Sequence, residues 1–185
     1  RRLGEEGLFE ALRESNMDAL GARDFERVVT ADPHALNALR HDDGLDQPVV
    51  HPTELLEELV ASKALVPGEL EDGRTYSYLD PCYLGRHNGC YRAPRAVIDW
   101  VPGLRRIYIP RSGSRSFCCG GGSLYLFYEG ECDTRMGIKR VEMAEQAGAQ
   151  VVVTACPFCL INIEDAIKTT GREETMEVCD LAELV

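Results

Sequence analysis

The 185-residue chain carries 31 acidic against 20 basic side chains, a formal net charge of −11, and a mean hydropathy of −0.21. No basic stripe is present to neutralise phosphates, which argues against nucleic acid as a partner, and no apolar run reaches the roughly 18–20 residues that a membrane span needs. The length suits one ordinary core or two small ones sharing an interface. The chain opens Arg1-Arg2-Leu3 without a signal-peptide pattern, so we expect a cytoplasmic protein, a piece of something longer, peripheral to a membrane only through a partner.

Strand and helix signals alternate along the chain. Residues 27–31 form a short apolar strand candidate, followed by a turn at Asp32-Pro33 and a helix over 35–40. Residues 48–51 read as a second strand. Thr53 is placed to cap the next helix, where Leu55, Leu56, Leu59 and Val60 recur at helical spacing. Residues 66–73, with Pro67, Gly68 and Gly73, read as a loop. A strand over 75–79 runs into Asp80-Pro81-Cys82. A helix over 93–100, a strand over 106–109, a helix over 133–146, a strand over 150–155 and a helix over 158–169 follow. A strand at 176–178 and a short helix over 180–185 end the chain.

Near-continuous apolar strands between helices predict an α/β fold with a mainly parallel sheet. Ligands in such sheets bind beyond the carboxyl ends of the strands. Cys82 and Cys156 each come just after a strand, so both are expected at that edge.

Part of the pattern repeats. Val28-Val29-Thr30-Ala31-Asp32-Pro33-His34-Ala35-Leu36 recurs as Val152-Val153-Thr154-Ala155-Cys156-Pro157-Phe158-Cys159-Leu160. Arg2-Leu3-Gly4 and Arg135-Met136-Gly137 precede the copies as similar helix starts. The expectation is two repeated, small Rossmann-like units, the first incomplete over 1–70 and the second intact over 71–185. Asp32 and Ala35 stand in the first copy where the second has Cys156 and Cys159. Asp32 reads as a helix cap, with Asp32 and His34 as the alternative oxygen and nitrogen ligands.

All eight cysteines fall from Cys82 onward, an uneven spread that points to a local site and away from general disulfide stapling. Five make a pattern of Cys82, the pair Cys118-Cys119, then Cys156-Pro157-Phe158-Cys159. Thiolates grouped in this way commonly bind a metal or an iron–sulfur cluster. Pro157 suits the first helical position, and the N–H groups at a helix start stabilise thiolate charge. That setting serves metal ligation and a dithiol redox pair equally. The CPFC turn resembles a thioredoxin or glutaredoxin site, but there the motif opens the domain, and here five other cysteines precede it. Adjacent cysteines such as Cys118 and Cys119 rarely pair with each other without strain. The glycines after them, Gly120-Gly121-Gly122, let the backbone wrap a bulky centre.

These three motifs, Asp80-Pro81-Cys82-Tyr83-Leu84-Gly85-Arg86, Cys118-Cys119-Gly120-Gly121-Gly122 and Cys156-Pro157-Phe158-Cys159, resemble in order and spacing the cysteine-rich CCG domain of heterodisulfide reductase catalytic subunits and related iron–sulfur oxidoreductases. The resemblance covers about residues 75–185 and implies a [4Fe–4S]-type centre, non-cubane in the heterodisulfide reductases, held by Cys82, Cys118, Cys119, Cys156 and Cys159. It implies electron transfer or catalysis within an oxidoreductase complex, with a ferredoxin-like or flavoprotein redox subunit as partner, or a membrane quinone-linked subunit. Five thiolates exceed the four of a cubane or a tetrahedral zinc. The alternative is a zinc-binding structural or assembly domain without redox chemistry. Arg86 and Arg92 are candidates for positive charge near the centre. His51 and His87 are weaker site candidates. Cys90 and Cys132 read as incidental and Cys179 as packed.

Overall fold

The computed structural model describes residues 4–123 and 135–185. In chain order these run α1 (Glu6–Gly21), β1 (Val28–Val29), α2 (Pro33–His41), β2 (Val49–Val50), α3 (Pro52–Ala61) and β3 (Thr75–Tyr78), then a π-helical turn (Tyr83–His87), α4 (Arg92–Asp99) and β4 (Arg105–Ile107). Two single 3-10 turns, Gly113–Arg115 and Gly121–Ser123, precede α5 (Met136–Gln146), β5 (Val151–Thr154), α6 (Pro157–Thr169) and β6 (Glu177–Asp180). A 3-10 turn, Leu181–Leu184, closes the chain where the sequence predicts a short helix. Asp133 and Cys132, like Arg2 and Leu3 of the first repeat motif, lie outside the described residues.

Every strand pair among these is parallel. β1 pairs with β2, Val28 opposite Val49, and a separate sheet has the order β4-β3-β5-β6. The α/β class expected from the alternating elements is what the chain adopts, with two parallel sheets, the first of them small. β5 is central to the larger sheet and buries all four of its residues, as a strand covered on both faces must.

Period-two alternation along the strands sorts the core into two sides. Val152 and Leu79 face α5 and α6, where they meet Val141, Ala144, Ile163 and Ile167. Val151, Val153, Tyr76 and Tyr78 face the other way, onto Val97 and Ile98 of α4. Leu36 and Val49 of the first unit belong to that same second cluster. The first unit therefore packs on the α4 side of the larger sheet, with α3 against α4 and α2 against the π-helical turn. Burying a side chain such as Leu36 or Ile163, both at 0% exposure, contributes about 1.5–3 kcal/mol.

Three helices start on the same device, a proline at the first helical position: Pro33, Pro52 and Pro157. The ring fixes φ for the helix, and its missing N–H has no partner there to lose. Asp32 caps α2 as expected, its carboxylate accepting from His34 N at 2.9 Å. The cap of α3 departs from the sequence reading, because Pro52 opens the helix and puts Thr53 inside it. His51 caps instead: its Nδ1 accepts from Thr53 N, and Glu54 closes the capping box from the other side.

Candidate functional site

Three parallel strands deliver the cysteine segments to one edge. Cys82 follows β3, the Cys118-Cys119 pair lies on the chain leaving β4, and Cys156 follows β5. Because β3, β4 and β5 run the same way, all three segments emerge at the carboxyl ends of the strands, where α/β sheets bind ligands.

A buried carboxylate fixes the first two segments to each other. Asp80, 2% exposed, takes a two-pronged ion pair from Arg95 at 2.7 and 2.8 Å and accepts from Gly113 N at 2.7 Å. Ser116 donates to the Asp80 carbonyl at 2.8 Å. Such forked guanidinium–carboxylate pairs add directional precision to attraction. Arg86, from the π-helical turn, donates to the Ser116 carbonyl at 2.7 Å. The third segment is tied in through Asn162 of α6, which donates to the Cys119 carbonyl.

The five sulfurs form a run of neighbours in the order Cys82, Cys118, Cys119, Cys159, Cys156. Cys82 and Cys118 sulfurs lie 3.7 Å apart and those of Cys119 and Cys159 3.3 Å apart. Both spacings far exceed the roughly 2.05 Å of a disulfide, and all five are free thiols. Two thiolates on one tetrahedral ion, with bonds of about 2.3 Å, stand about 3.8 Å apart, which matches the first pair. No three His, Cys, Asp or Glu side chains among the described residues are grouped to hold one metal ion. The sulfurs make a line of donors, half-buried at Cys82 and Cys118 and buried at Cys119, Cys159 and Cys156.

Their acidities alternate along the run. Hydrogen bonding with the Cys119 and Cys82 sulfurs holds Cys118 down at about 2, with Gly120 N–H and Arg86 adding to the effect. The same contacts with Cys118 raise Cys82, and raise Cys119 to about 11. Cys156 is lowered by the bond it accepts from Cys159, helped by the peptide N–H groups at the start of α6 and by His34. Cys159 is pushed up by its hydrogen bonding with Cys119 and Cys156 and by full burial. Cys118 and Cys156 are thus the two sulfurs whose charged form their neighbours favour, as suits a site that binds cations.

Positive and nitrogen-bearing groups surround this run. Arg86 lies close enough to lower Cys118 and Cys82, as the sequence suggests. Arg92 does not take part. It pairs with Glu57 at the surface, its side chain 84% exposed, because it opens α4 on the face turned to α3. Arg140 is the cation that the sequence does not reveal. It lies in the middle of α5 at 1% exposure, gives Nη1 to the Pro110 and Arg111 carbonyls, and leaves Nε and Nη2 without partners. Cys159, Cys119 and Cys118 all act on it electrostatically. A buried, unpartnered donor costs about 1–3 kcal/mol, and more when charged, so this one is suited to an anionic centre.

The first unit also reaches the site. His34 lies tilted by 42° against Tyr83, 4.1 Å between ring centroids, and meets Phe158 edge-on at 5.0 Å. Its Nδ1 lies 2.8 Å from Asp32 Oδ1, while its Nε2 is buried and without a partner. Gly122 has no Cβ to obstruct it; one built there would stand 2.5 Å from Nε2.

The remaining candidates have structural settings. His51 is 2% exposed, caps α3 and contacts the Ala31 carbonyl through Nε2 at 3.2 Å, and burial lowers its pKa. His87 stacks on Tyr83 at 4.4 Å, the two rings standing at the ends of the π-helical turn. Cys90 packs beside Thr53, with burial raising it to about 11. Cys179 is buried in β6. The donor set of five thiols, flanked by Arg86, Arg140 and His34, fits an anionic metal–sulfur centre.

Comparison with known proteins agrees. A family model described as a cysteine-rich domain, CCG, matches residues 76–164. The chain is 35% identical, over its full length, to 26% of the "Probable iron-sulfur-binding oxidoreductase FadF" of Bacillus subtilis. It is 34% identical, again over its full length, to 27% of the EtfAB:quinone oxidoreductase of Syntrophomonas wolfei. Over 94% of its length it is 31% identical to 43% of one subunit of the dihydromethanophenazine:CoB–CoM heterodisulfide reductase of Methanosarcina barkeri. The chain thus spans from about a quarter to under half of these relatives. Among solved structures, a glutamate racemase from Bacillus anthracis aligns with a TM-score of 0.40 at 12% identity, over 97% of this chain and 60% of that one.

Proposed function

Because this chain carries a CCG cysteine-rich domain and its relatives are iron–sulfur oxidoreductases, we propose that it is the electron-transfer unit of a multi-subunit oxidoreductase. Cys82, Cys118, Cys119, Cys156 and Cys159 hold its centre. The observation that carries this reading is the unbroken run of five sulfurs assembled from three strand ends. Five thiolates are one more than a cubane or a tetrahedral zinc requires, which favours a [4Fe–4S] centre of non-cubane form. Such a centre supplies one-electron exchange.

The chain's own residues set its surroundings. Asp80 and Arg95 hold the Cys82 and Cys118-Cys119 segments in register. Arg86 and Arg140 place positive charge beside the thiolates, which raises the potential of a bound cluster. The N–H groups of Gly120 and Gly121 point at Cys118 and Cys119 sulfurs at 3.3 and 3.4 Å and act in the same direction. Gly120 adopts φ +92°, a left-handed conformation open to glycine, which turns the chain so that the Gly121 N–H meets Cys119.

Electrons reach the site from a ferredoxin-like or flavoprotein subunit and leave toward a quinone-linked membrane subunit or a disulfide. The names of the quinone-reducing and heterodisulfide-reducing relatives support both exits. No helix among the described residues is long and apolar enough to cross a membrane, so contact with a quinone pool falls to another subunit or segment.

Anaerobic purification followed by iron, acid-labile sulfide and zinc analysis tests this reading. A brown protein with about four irons and four sulfides per chain, as a [4Fe–4S] centre requires, is the expected result. A colourless protein with one zinc would sink it and leave the structural-zinc alternative. Cys119→Ser separates the two again: it removes a donor that the five-thiolate centre uses and that a four-ligand zinc site can spare.

A further inference from the structure

The first unit's corner is turned toward the second unit's corner. In the repeat, Asp32, Pro33, His34 and Ala35 take the places of Cys156, Pro157, Phe158 and Cys159. The third residues of the two corners, His34 and Phe158, are in edge-on ring contact. Around His34 stand one neighbour from each cysteine segment: Tyr83 beside Cys82, Gly122 beyond Cys119, and Phe158 between Cys156 and Cys159.

We propose that His34 Nε2 is a nitrogen ligand to the same centre, supplied by the first unit. The assignment rests on the reading that the five thiols hold a metal centre. The Asp32 carboxylate can only accept, so the 2.8 Å contact to Nδ1 keeps the proton on Nδ1 and leaves the lone pair on Nε2. A carboxylate holding the far nitrogen of an imidazole is the usual support for a metal-bound histidine. Tyr83 and Phe158 clamp the ring, so the lone pair has one direction, toward the glycine run after Cys118-Cys119. Nε2 is buried and has no protein partner. The first corner, which has Asp32 and Ala35 where the second has two thiols, therefore sets a nitrogen donor against the glycine run that follows Cys118-Cys119.

Pulsed EPR on the anaerobically purified full chain, made with and without 15N-histidine, tests the assignment. A strongly coupled histidine nitrogen is expected in the paramagnetic state of the native protein. His34→Phe keeps the ring packing against Tyr83 and Phe158 and should abolish that coupling, whereas His87→Phe should retain it. Outer-partner loss commonly weakens metal binding about 10–100-fold, and His34→Phe should release iron to a competing chelator at least that much more readily. An iron-loaded native protein without such a nitrogen overturns the His34 assignment and leaves the cluster reading intact, as does a coupling that survives His34→Phe. If the metal is zinc alone, the cluster reading fails, and zinc-edge X-ray absorption decides His34: one nitrogen among sulfurs keeps it, an all-sulfur shell overturns it. A protein without any metal overturns both.

Discussion

The two corners that open α2 and α6 share a frame and differ in where their polar groups are used. Each has an extended residue at the cap, Asp32 or Cys156, and a proline at the first helical position. In the first corner the cap satisfies its own turn, Asp32 accepting from His34 N and contacting His34 Nδ1. In the second, the cap is a thiol whose strongest neighbour is Cys159, and Cys159 in turn reaches Cys119 on another segment. One backbone device thus serves local capping in one copy and long-range donor assembly in the other. The surrounding strands follow suit: β1 and β2 have two residues each and leave Val29 45% exposed, whereas β5 buries all four.

The contrast can be broken most forcefully at its thiols. Cys159→Ala removes the residue that links the Cys119 and Cys156 ends of the run and should abolish retention of the centre. The loss should exceed the roughly 10–100-fold weakening that follows loss of an outer partner. Ala35→Cys, which restores one thiol to the first corner, should leave iron and sulfide per chain unchanged. Elemental analysis of both variants checks the pair, and extra iron in Ala35→Cys would show that the first corner has kept a site of its own.

A second test asks whether the two corners belong to one cooperative body. Leu36 and Ile163 are both fully buried, one in each unit, and Leu36 shares a cluster with Val151 and Val153 of the large sheet. Truncating either to alanine should therefore cost about 2–5 kcal/mol in a single denaturant transition. A separate early transition in Leu36→Ala would mean that the first unit unfolds alone and only leans on the second.

Much of this was legible in the sequence because it is governed by local chemistry or by strand direction. The alternating elements gave the parallel α/β class, and the position of Cys82 and Cys156 after strands put them at one edge. Proline at the first helical position and Asp32 at a cap follow from φ and from unpaired N–H groups. The cap at His51 escaped because histidine is an uncommon cap and Thr53 a common one. Arg140 escaped because an arginine within Lys139-Arg140-Val141-Glu142 has the look of a solvated helix face; only its burial and its bonds to the Pro110 and Arg111 carbonyls show that this position turns inward. The meeting of His34 with Phe158 could not be read either, since it depends on how two units pack and not on the period of either.

The close approach between the corners can be disturbed from the glycine run. A Cβ at Gly122 would stand 2.5 Å from His34 Nε2, and the ring, held between Tyr83 and Phe158, has little room to swing aside. Gly122→Ala should cost about 1–3 kcal/mol as an overpacking change, read as a lower denaturant midpoint with an unchanged slope. In His34→Ala the same glycine substitution should cost close to nothing, since the obstructing ring is gone. A full penalty in the double variant would place the strain elsewhere in the loop.

The smallest effect belongs to the cap, and it separates the two jobs of Asp32. Asp32→Ala removes the oxygen that accepts from His34 N and should cost about 0.5–2 kcal/mol, the usual loss at this helix position. Asp32→Asn keeps an oxygen acceptor for that N–H and should recover most of the stability in thermal or denaturant unfolding. It cannot supply the carboxylate charge that, with its hydrogen bond, raises His34 above its ordinary pKa. If Asn restores stability and leaves metal retention as weak as Ala does, the carboxylate serves the site through His34 as well as capping α2. If Asn restores both, Asp32 is a cap and nothing more, and the first corner differs from the second only in what it lost.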